Sequence, residues 1–120
     1  MNRKNRAEDM LLALGVKPNL KGFHYLVDAV DIYLNHKGDL SITKGLYPEI
    51  ARKHNTTGSR VERSIRHAIE LTADCNPYGE MERFFGTTTN MNKGKLTNSE
   101  FISVFALRLA REEREGDSVT

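Results

Sequence analysis

Apolar residues recur at helical spacing along the whole chain, and no stretch alternates apolar and polar residues as a half-buried strand would. Near the start, Ala7, Met10, Leu11 and Leu14 fall at positions i, i+3, i+4 and i+7, and Gly15 follows as a stop signal. A chain with only this period can bury its apolar faces only by packing helices together. The sequence therefore predicts an all-α fold.

Start and stop signals divide the pattern into six helices. The second is closed around Lys37-Gly38, the third spans about residues 43–54 and tolerates Pro48 only in about its first turn, and the fourth spans about 59–74. The fifth begins at Asn76-Pro77 and ends at Gly86. We expect these helices to form one compact six-helix bundle.

The sixth helix has the clearest start signal. Thr97-Asn98-Ser99-Glu100 is a capping-box sequence, in which Thr97 bonds the amide three residues on and Glu100 bonds back. The helix is expected to fray in the charged tail from Arg111 to Thr120.

Several function classes lack the residues they need. The chain has 120 residues, one cysteine (Cys75) and no apolar run near the roughly 20 residues of a membrane span. We expect a cytoplasmic protein with no membrane partner. No catalytic, cofactor or metal site is predicted. No phosphate loop is complete. The four histidines lack the spacing of metal ligands: His24, His36, His54 and His67.

Residues 50–69 have the outline of a helix-turn-helix: a short helix, a polar turn with a glycine, and a second helix. Ile50 and Ala51 provide the close packing of the first helix. Val61 stands where the second helix needs an inward apolar group.

The two sides of the second helix differ in chemistry. Its apolar arc contains Val61, Ile65, Ala68 and Thr72. The opposite side carries Ser59, Arg60, Glu62, Arg63, Arg66 and His67. Arginine can bond guanine through two hydrogen bonds, and glutamate can accept from the cytosine amine, so this side suits major-groove reading. The alternative is a solvated face with an ion pair between Glu62 and Arg66.

Charge is concentrated in the same segment. The net charge of the chain is +2, but residues 44–67 contain six Lys or Arg against two Glu, which leaves −2 for the remainder. A basic segment favours binding to DNA phosphates through counterion release. Thr56, Thr57 and Ser59 add hydroxyl groups and a helix N-terminus for phosphate oxygens.

These stretches carry a family resemblance. Residues 41–51 (SITKGLYPEIA) and 55–70 (NTTGSRVERSIRHAIE) resemble the effector domains of the stage 0 sporulation protein A family. These are response regulators of a two-component system that starts endospore formation. The likeness extends to residues 21–26 (KGFHYL), 85–86 and 96–102 (LTNSEFI), and so covers nearly the whole chain.

The resemblance implies a regulator of transcription that activates or represses by placing its fourth helix in the major groove of a TGTCGAA-like box. The base-contacting positions it implies are Glu62, Arg63, Arg66 and His67. The phosphate-contacting positions are Ser59 and Arg60, to which the hydroxyl of Thr57 is added. Lys93 and Lys95 in the polar loop are candidate backbone contacts, with a purely solvated loop as the alternative.

Further partners follow from the resemblance alone. Glu70 and residues 80–89, including Phe85, match the family's surface for the RNA polymerase sigma subunit. The chain departs from the family pattern at residues 76–79 and 87–89. Self-association on tandem DNA boxes is also implied.

Residues 1–120 are expected to form a single DNA-binding effector domain without the receiver domain of the family. The chain is then either an excised domain or a free-standing homologue. The alternative functions are a helical interaction module that does not bind DNA, and a helix-turn-helix regulator unrelated to sporulation.

Overall fold

The computed structural model describes residues 2–36, 42–75, 80–85 and 96–119, and these ranges contain helices and no strand. The helices are α1 Arg3–Leu14, α2 Lys21–Asn35, α3 Tyr47–Lys53, α4 Gly58–Cys75, α5 Glu80–Phe85 and α6 Asn98–Val119. The predicted all-α class and the six helices are confirmed. The predicted signals at Lys37-Gly38, Asn76-Pro77 and Gly86 lie outside the described residues.

The end of α1 follows the predicted signal. Gly15 has a φ of 94°, a left-handed conformation that glycine adopts without steric cost. The amide of Val16 donates to the carbonyl of Leu11 over 3.0 Å, which closes the helix. Val16 is itself buried, so this cap also turns the chain back toward the core.

The third predicted helix is divided in two. A π-helical turn spans Ile42–Leu46, and the regular helix α3 starts only at Tyr47 with Pro48 as its second residue. Proline has no N–H to donate to the preceding turn, so the regular hydrogen-bond ladder cannot run through this position. The wider turn before it accommodates the break.

The last helix begins as predicted and ends later than predicted. The capping box forms, with Thr97 N donating to Glu100 Oε1 over 3.0 Å and Glu100 N donating to Thr97 Oγ1 over 3.1 Å. The expected fraying from Arg111 is wrong, because α6 continues to Val119. Arg3 of α1 bonds the Glu113 carboxylate over 2.9 Å and holds this charged segment against the bundle.

The core lies where α2, α4 and α6 pack on one another, with α1 and α3 against its sides. Its largest fully buried side chains include Leu11, Leu26, Ile50, Ile65, Phe101 and Phe105. No helix within the described ranges is both long and apolar enough to cross a bilayer.

Gly22 sets how closely α2 and α4 approach each other. A Cβ atom at this position would lie 2.3 Å from the backbone oxygen of Ser64 and 2.7 Å from the Cβ of Ala68. Real Cβ atoms do not come so close to backbone atoms, so only glycine fits this crossing. Gly22 therefore fixes the depth at which α4 sits on the core.

Candidate nucleic-acid interface

Helices α3 and α4 are joined by a tight turn that makes them a helix-turn-helix, as the sequence predicts. Asn55 adopts a positive φ of 54°, which asparagine tolerates better than most residues. The amide of Thr56 donates back to the carbonyl of Ala51 over 2.9 Å and closes the end of α3. The chain then enters α4 at Gly58, two residues after Thr56.

Thr57 caps the start of α4. Its Oγ1 accepts a hydrogen bond from the Arg60 amide at 3.2 Å, and its carbonyl accepts from the Val61 amide at 3.0 Å. Thr57 is exposed, and its hydroxyl hydrogen remains available to a phosphate oxygen. The predicted phosphate-contacting residue thus also stabilises the helix that it precedes.

The inward side of α4 is the predicted apolar arc. Val61, Ile65, Ala68 and Thr72 are all buried, and Ile69 is buried beside them. The Thr72 hydroxyl donates to the carbonyl of Ala68 over 2.7 Å, so its polar group is satisfied inside the core. This side holds α4 in place.

The outward side of α4 brings together the predicted DNA-contacting residues. Ser59, Arg60, Arg63, Arg66 and His67 are exposed. Glu62 is half-buried and accepts a hydrogen bond of 2.7 Å from Arg66 Nη1. The ion pair that the sequence offered as an alternative therefore exists on the same side that the DNA interpretation requires.

The cations on this side are not equivalent. The side chains of Arg60, Arg63 and His67 form no hydrogen bond or ion pair with any described residue, whereas Arg66 is held by Glu62. An open depression of about 420 Å³ lies beside Arg63 and Arg66. It is lined by Tyr47, Pro48, Gly58, Ser59, Glu62, Arg63 and Arg66.

Behind the turn, a buried carboxylate binds two lysines and a histidine from α1 and the end of α3. Asp28 of α2 is 5% exposed and bonds Lys53 Nζ at 2.9 Å and His54 Nε2 at 2.5 Å. Lys4 of α1 approaches the same carboxylate at 3.2 Å. The ring of Tyr25 lies edge-on to His54 with a centroid distance of 5.0 Å. We call Asp28 with Lys4, Lys53 and His54 the Asp28 clamp.

The clamp keeps Asp28 ionised. Burial by itself raises the pKa of its carboxyl, but the hydrogen bonds from His54, Lys53 and Lys4 together outweigh burial and hold the pKa below its usual value. Lys53, one of the six cations counted in the basic segment, is thus paired with Asp28, as is the ring of His54. The sequence does contain a signal for the clamp, namely an acidic residue inside the apolar run of α2. It does not indicate which residues bind that carboxylate.

A second connection reaches the helix-turn-helix from α6. The side-chain amide of Asn98 donates to the Tyr47 hydroxyl over 3.0 Å and to the backbone carbonyl of Glu62 over 3.1 Å. Burial raises the pKa of the Tyr47 hydroxyl, and the nearby Glu62 raises it further, against the opposing effects of Asn98 and Arg66. The hydroxyl is therefore neutral at physiological pH. Nothing in the sequence pattern indicates this connection.

The remaining predicted site residues lie elsewhere. Glu70 is half-buried further along α4. Phe85 is only 2% exposed and packs on Phe101 with ring centroids 4.9 Å apart, so its ring does not face a partner directly. Its half-buried neighbour Phe84 lies under the guanidinium of Arg108 at 5.2 Å. Lys93 and Lys95 lie outside the described residues.

Among the described residues, no three His, Cys, Asp or Glu side chains come together as a metal site requires.

The comparison with protein families agrees with the geometry of the helix-turn-helix. The family model described as sporulation initiation factor Spo0A C terminal, Spo0A_C, matches residues 7–109. The match runs from the first turns of α1 into α6 and includes both helices of the helix-turn-helix.

Proposed function

The chain belongs to the Spo0A_C family of DNA-binding sporulation regulator domains, and we propose that it reads a specific DNA sequence with α4 in the major groove. This family is regulatory rather than enzymatic. The observation that carries the proposal is the exposed outer side of α4. There, Arg60 and Arg63 lack protein partners among the described residues.

Base reading is assigned to the outer side of α4. Arg63 has an unengaged guanidinium that suits the two acceptors of a guanine edge. The pair Glu62–Arg66 is preformed at 2.7 Å, so Arg66 approaches a base with a partner that limits its rotamers. His67 extends the same side by one position. These four residues are the proposed base contacts.

Phosphate binding is assigned to the start of α4. The helix is 18 residues long, and its N-terminus carries the exposed Thr57, Ser59 and Arg60. Contacts of this kind set the position of a protein on DNA without reading its sequence. Lys93 and Lys95 are proposed to add backbone contacts from the segment between α5 and α6.

The wider assembly is also a proposal, supported by the family resemblance. We propose a TGTCGAA-like target, bound by two copies on adjacent boxes, because a single recognition helix buries little surface. Activation or repression would follow from contact with the RNA polymerase sigma subunit through Glu70 and the α5 region. Since Phe85 is buried, its part in that surface would be to hold α5 in position. We propose residues 1–120 as a single effector domain.

A mobility-shift titration tests the DNA proposal. The wild-type chain is titrated on a duplex with two TGTCGAA boxes and on a scrambled duplex of equal composition, each at two salt concentrations. We expect Arg63→Ala to weaken binding to the boxes by about 1–3 kcal/mol and to relax base preference. Arg111→Ala is the matched control, because it removes another exposed arginine, from α6.

The outcomes separate reading from other roles. Equal losses on both duplexes in Arg63→Ala would contradict base reading. If neither duplex is bound, the outer side of α4 is a solvated or protein-binding face, and the interaction-module alternative is favoured. The preformed Glu62–Arg66 pair supports the solvated face, because the two side chains satisfy each other within α4.

A further inference from the structure

We propose that Asn98 is a positioning residue for sequence-specific DNA reading, an inference that rests on the proposed function. Asn98 is the first residue of α6 and lies 36 positions from Glu62 and 51 from Tyr47. It is half-buried behind the outer side of α4 and is not among the proposed DNA contacts. Asn98 instead positions the α4 residues that are proposed to contact DNA.

The geometry joins three helices through one amide group. Asn98 Nδ2 donates one hydrogen to the Tyr47 hydroxyl of α3 at 3.0 Å and the other to the Glu62 carbonyl of α4 at 3.1 Å. A primary amide has two such hydrogens, and both are used. Asn98 therefore fixes the two helices of the helix-turn-helix relative to each other and to α6.

Each end of this connection is itself held in place. The capping box between Thr97 and Glu100 fixes the backbone on both sides of Asn98. On the other side, Tyr47 is 5% exposed and packs in the core. A fully satisfied polar network between fixed groups rigidifies its surroundings, so this bridge holds α4 in place relative to α3 and α6.

The bridge meets α4 at the residues that would read DNA. The carbonyl that Asn98 holds belongs to Glu62, whose side chain pairs with Arg66 at 2.7 Å. Arg63 follows Glu62 directly. Two-point hydrogen bonding to a base edge depends on the position of the guanidinium plane, so a small shift or rotation of α4 weakens it. Phosphate contacts by long flexible cations tolerate the same shift.

The test compares specific with non-specific binding in neutral substitutions. Asn98→Ala removes both bonds, Asn98→Leu removes both while keeping a similar branched shape, and Tyr47→Phe removes only the bond to α3. Ser99→Ala is the matched control, since it is the adjacent exposed residue at the start of the same helix. Each variant is titrated on the two-box and scrambled duplexes at two salt concentrations, at a temperature where its melting curve shows it folded.

We expect Asn98→Ala and Asn98→Leu to lower the ratio of box to scrambled affinity by about five- to tenfold, with Tyr47→Phe lowering it about twofold. The salt dependence of binding should equal that of the wild type, because no charge is changed. Ser99→Ala should keep the wild-type ratio.

A lower melting temperature with an unchanged affinity ratio would overturn the proposal, since Asn98 would then be merely structural. Equal losses on both duplexes would overturn it as well. If both Asn98 variants fail to fold, Tyr47→Phe decides, because it removes one hydroxyl and keeps the buried ring. A wild-type chain that does not discriminate between the duplexes would overturn the proposed function itself, which distinguishes the two failures.

Discussion

The two sides of the helix-turn-helix use the same kinds of residue in opposite ways. On its inner side, Lys53 and His54 are bound to the buried carboxylate of Asp28. On its outer side, Arg60 and Arg63 form no ion pair with any described residue. The Lys53 charge on the inner side is paired within the protein, whereas the Arg60 and Arg63 charges on the outer side remain available to a partner.

The difference also concerns tolerance to substitution. The inner side is fixed by backbone contact at Gly22 and by a paired buried charge, so its residues act on stability. The outer side is exposed, so its residues act on binding and contribute little to folding. A substitution that changes both the stability and the DNA recognition of the protein would contradict this division. The following three predictions test it.

Gly22→Ala should have the largest effect. The added methyl group would meet the Ser64 oxygen at 2.3 Å, and backbone cannot give way as a flexible side chain can. We expect the free energy of unfolding to fall by about 3 kcal/mol, measured by thermal and urea denaturation.

Gly58→Ala is the control for Gly22→Ala. A Cβ atom at Gly58 would meet its nearest neighbour, Tyr47 Cβ, at an ordinary 3.7 Å. Alanine is also the better helix former, so stability should be unchanged or slightly raised. Equal destabilisation of both variants would show that the inner side has no special steric limit.

Asp28→Asn should have the second largest effect on stability, and this effect should depend on pH. The folded-state pKa of Asp28 lies below its usual value, so its stabilisation is present above the unfolded pKa and is lost as the pH falls through the folded pKa. At pH 7 we expect Asp28→Asn to reduce the free energy of unfolding by about 2 kcal/mol.

Melting curves of Asp28→Asn and the wild type between pH 2.5 and pH 7, a window that brackets the usual Asp pKa of about 3.9, measure this dependence. The gap between the two proteins should close toward the acidic end, where the wild-type carboxylate also becomes neutral. A gap that stays constant over this range would contradict a charged clamp.

Lys53→Ala should have the smallest effect on DNA binding, although it removes a bond to Asp28 that stabilises the fold. Its ammonium group is engaged by Asp28 at 2.9 Å, so its removal should leave the salt dependence of DNA binding unchanged. Arg60→Ala, an exposed cation seven residues later, should lower the salt slope by about one. Equal slopes in the two variants would remove the distinction between inner and outer cations.

Much of the local structure could be predicted because it depends on neighbours in the chain. The stop at Gly15 and the capping box of Thr97 and Glu100 each involve groups a few residues apart, and both are confirmed. The apolar arc of α4 was predictable for the same reason, since helical period alone brings Val61 and Ile65 to one side.

The extent of α6 and the environment of Phe85 were not predictable in this way. By its composition alone, the charged end of α6 is too polar to be predicted as helical. It is stabilised by Arg3, which lies 110 positions away in the sequence and so gives no local signal. Phe85 is followed by a polar segment in the sequence, yet its ring packs on Phe101 of α6. Both depend on which helices pack together, and a single sequence does not specify that.

The sequence by itself determined the helical class, the helix-turn-helix and the concentration of positive charge along residues 44–67, because each is a property of spacing or of counting. Only the tertiary structure decided which of those charges face outward. Asp28 lies 25 positions before Lys53, and Asn98 lies 36 positions after Glu62, so neither partnership follows from local periodicity. The physical reason is burial: a carboxylate removed from water must find cations, and a buried hydroxyl or amide must find hydrogen-bond partners, wherever in the chain the fold brings them.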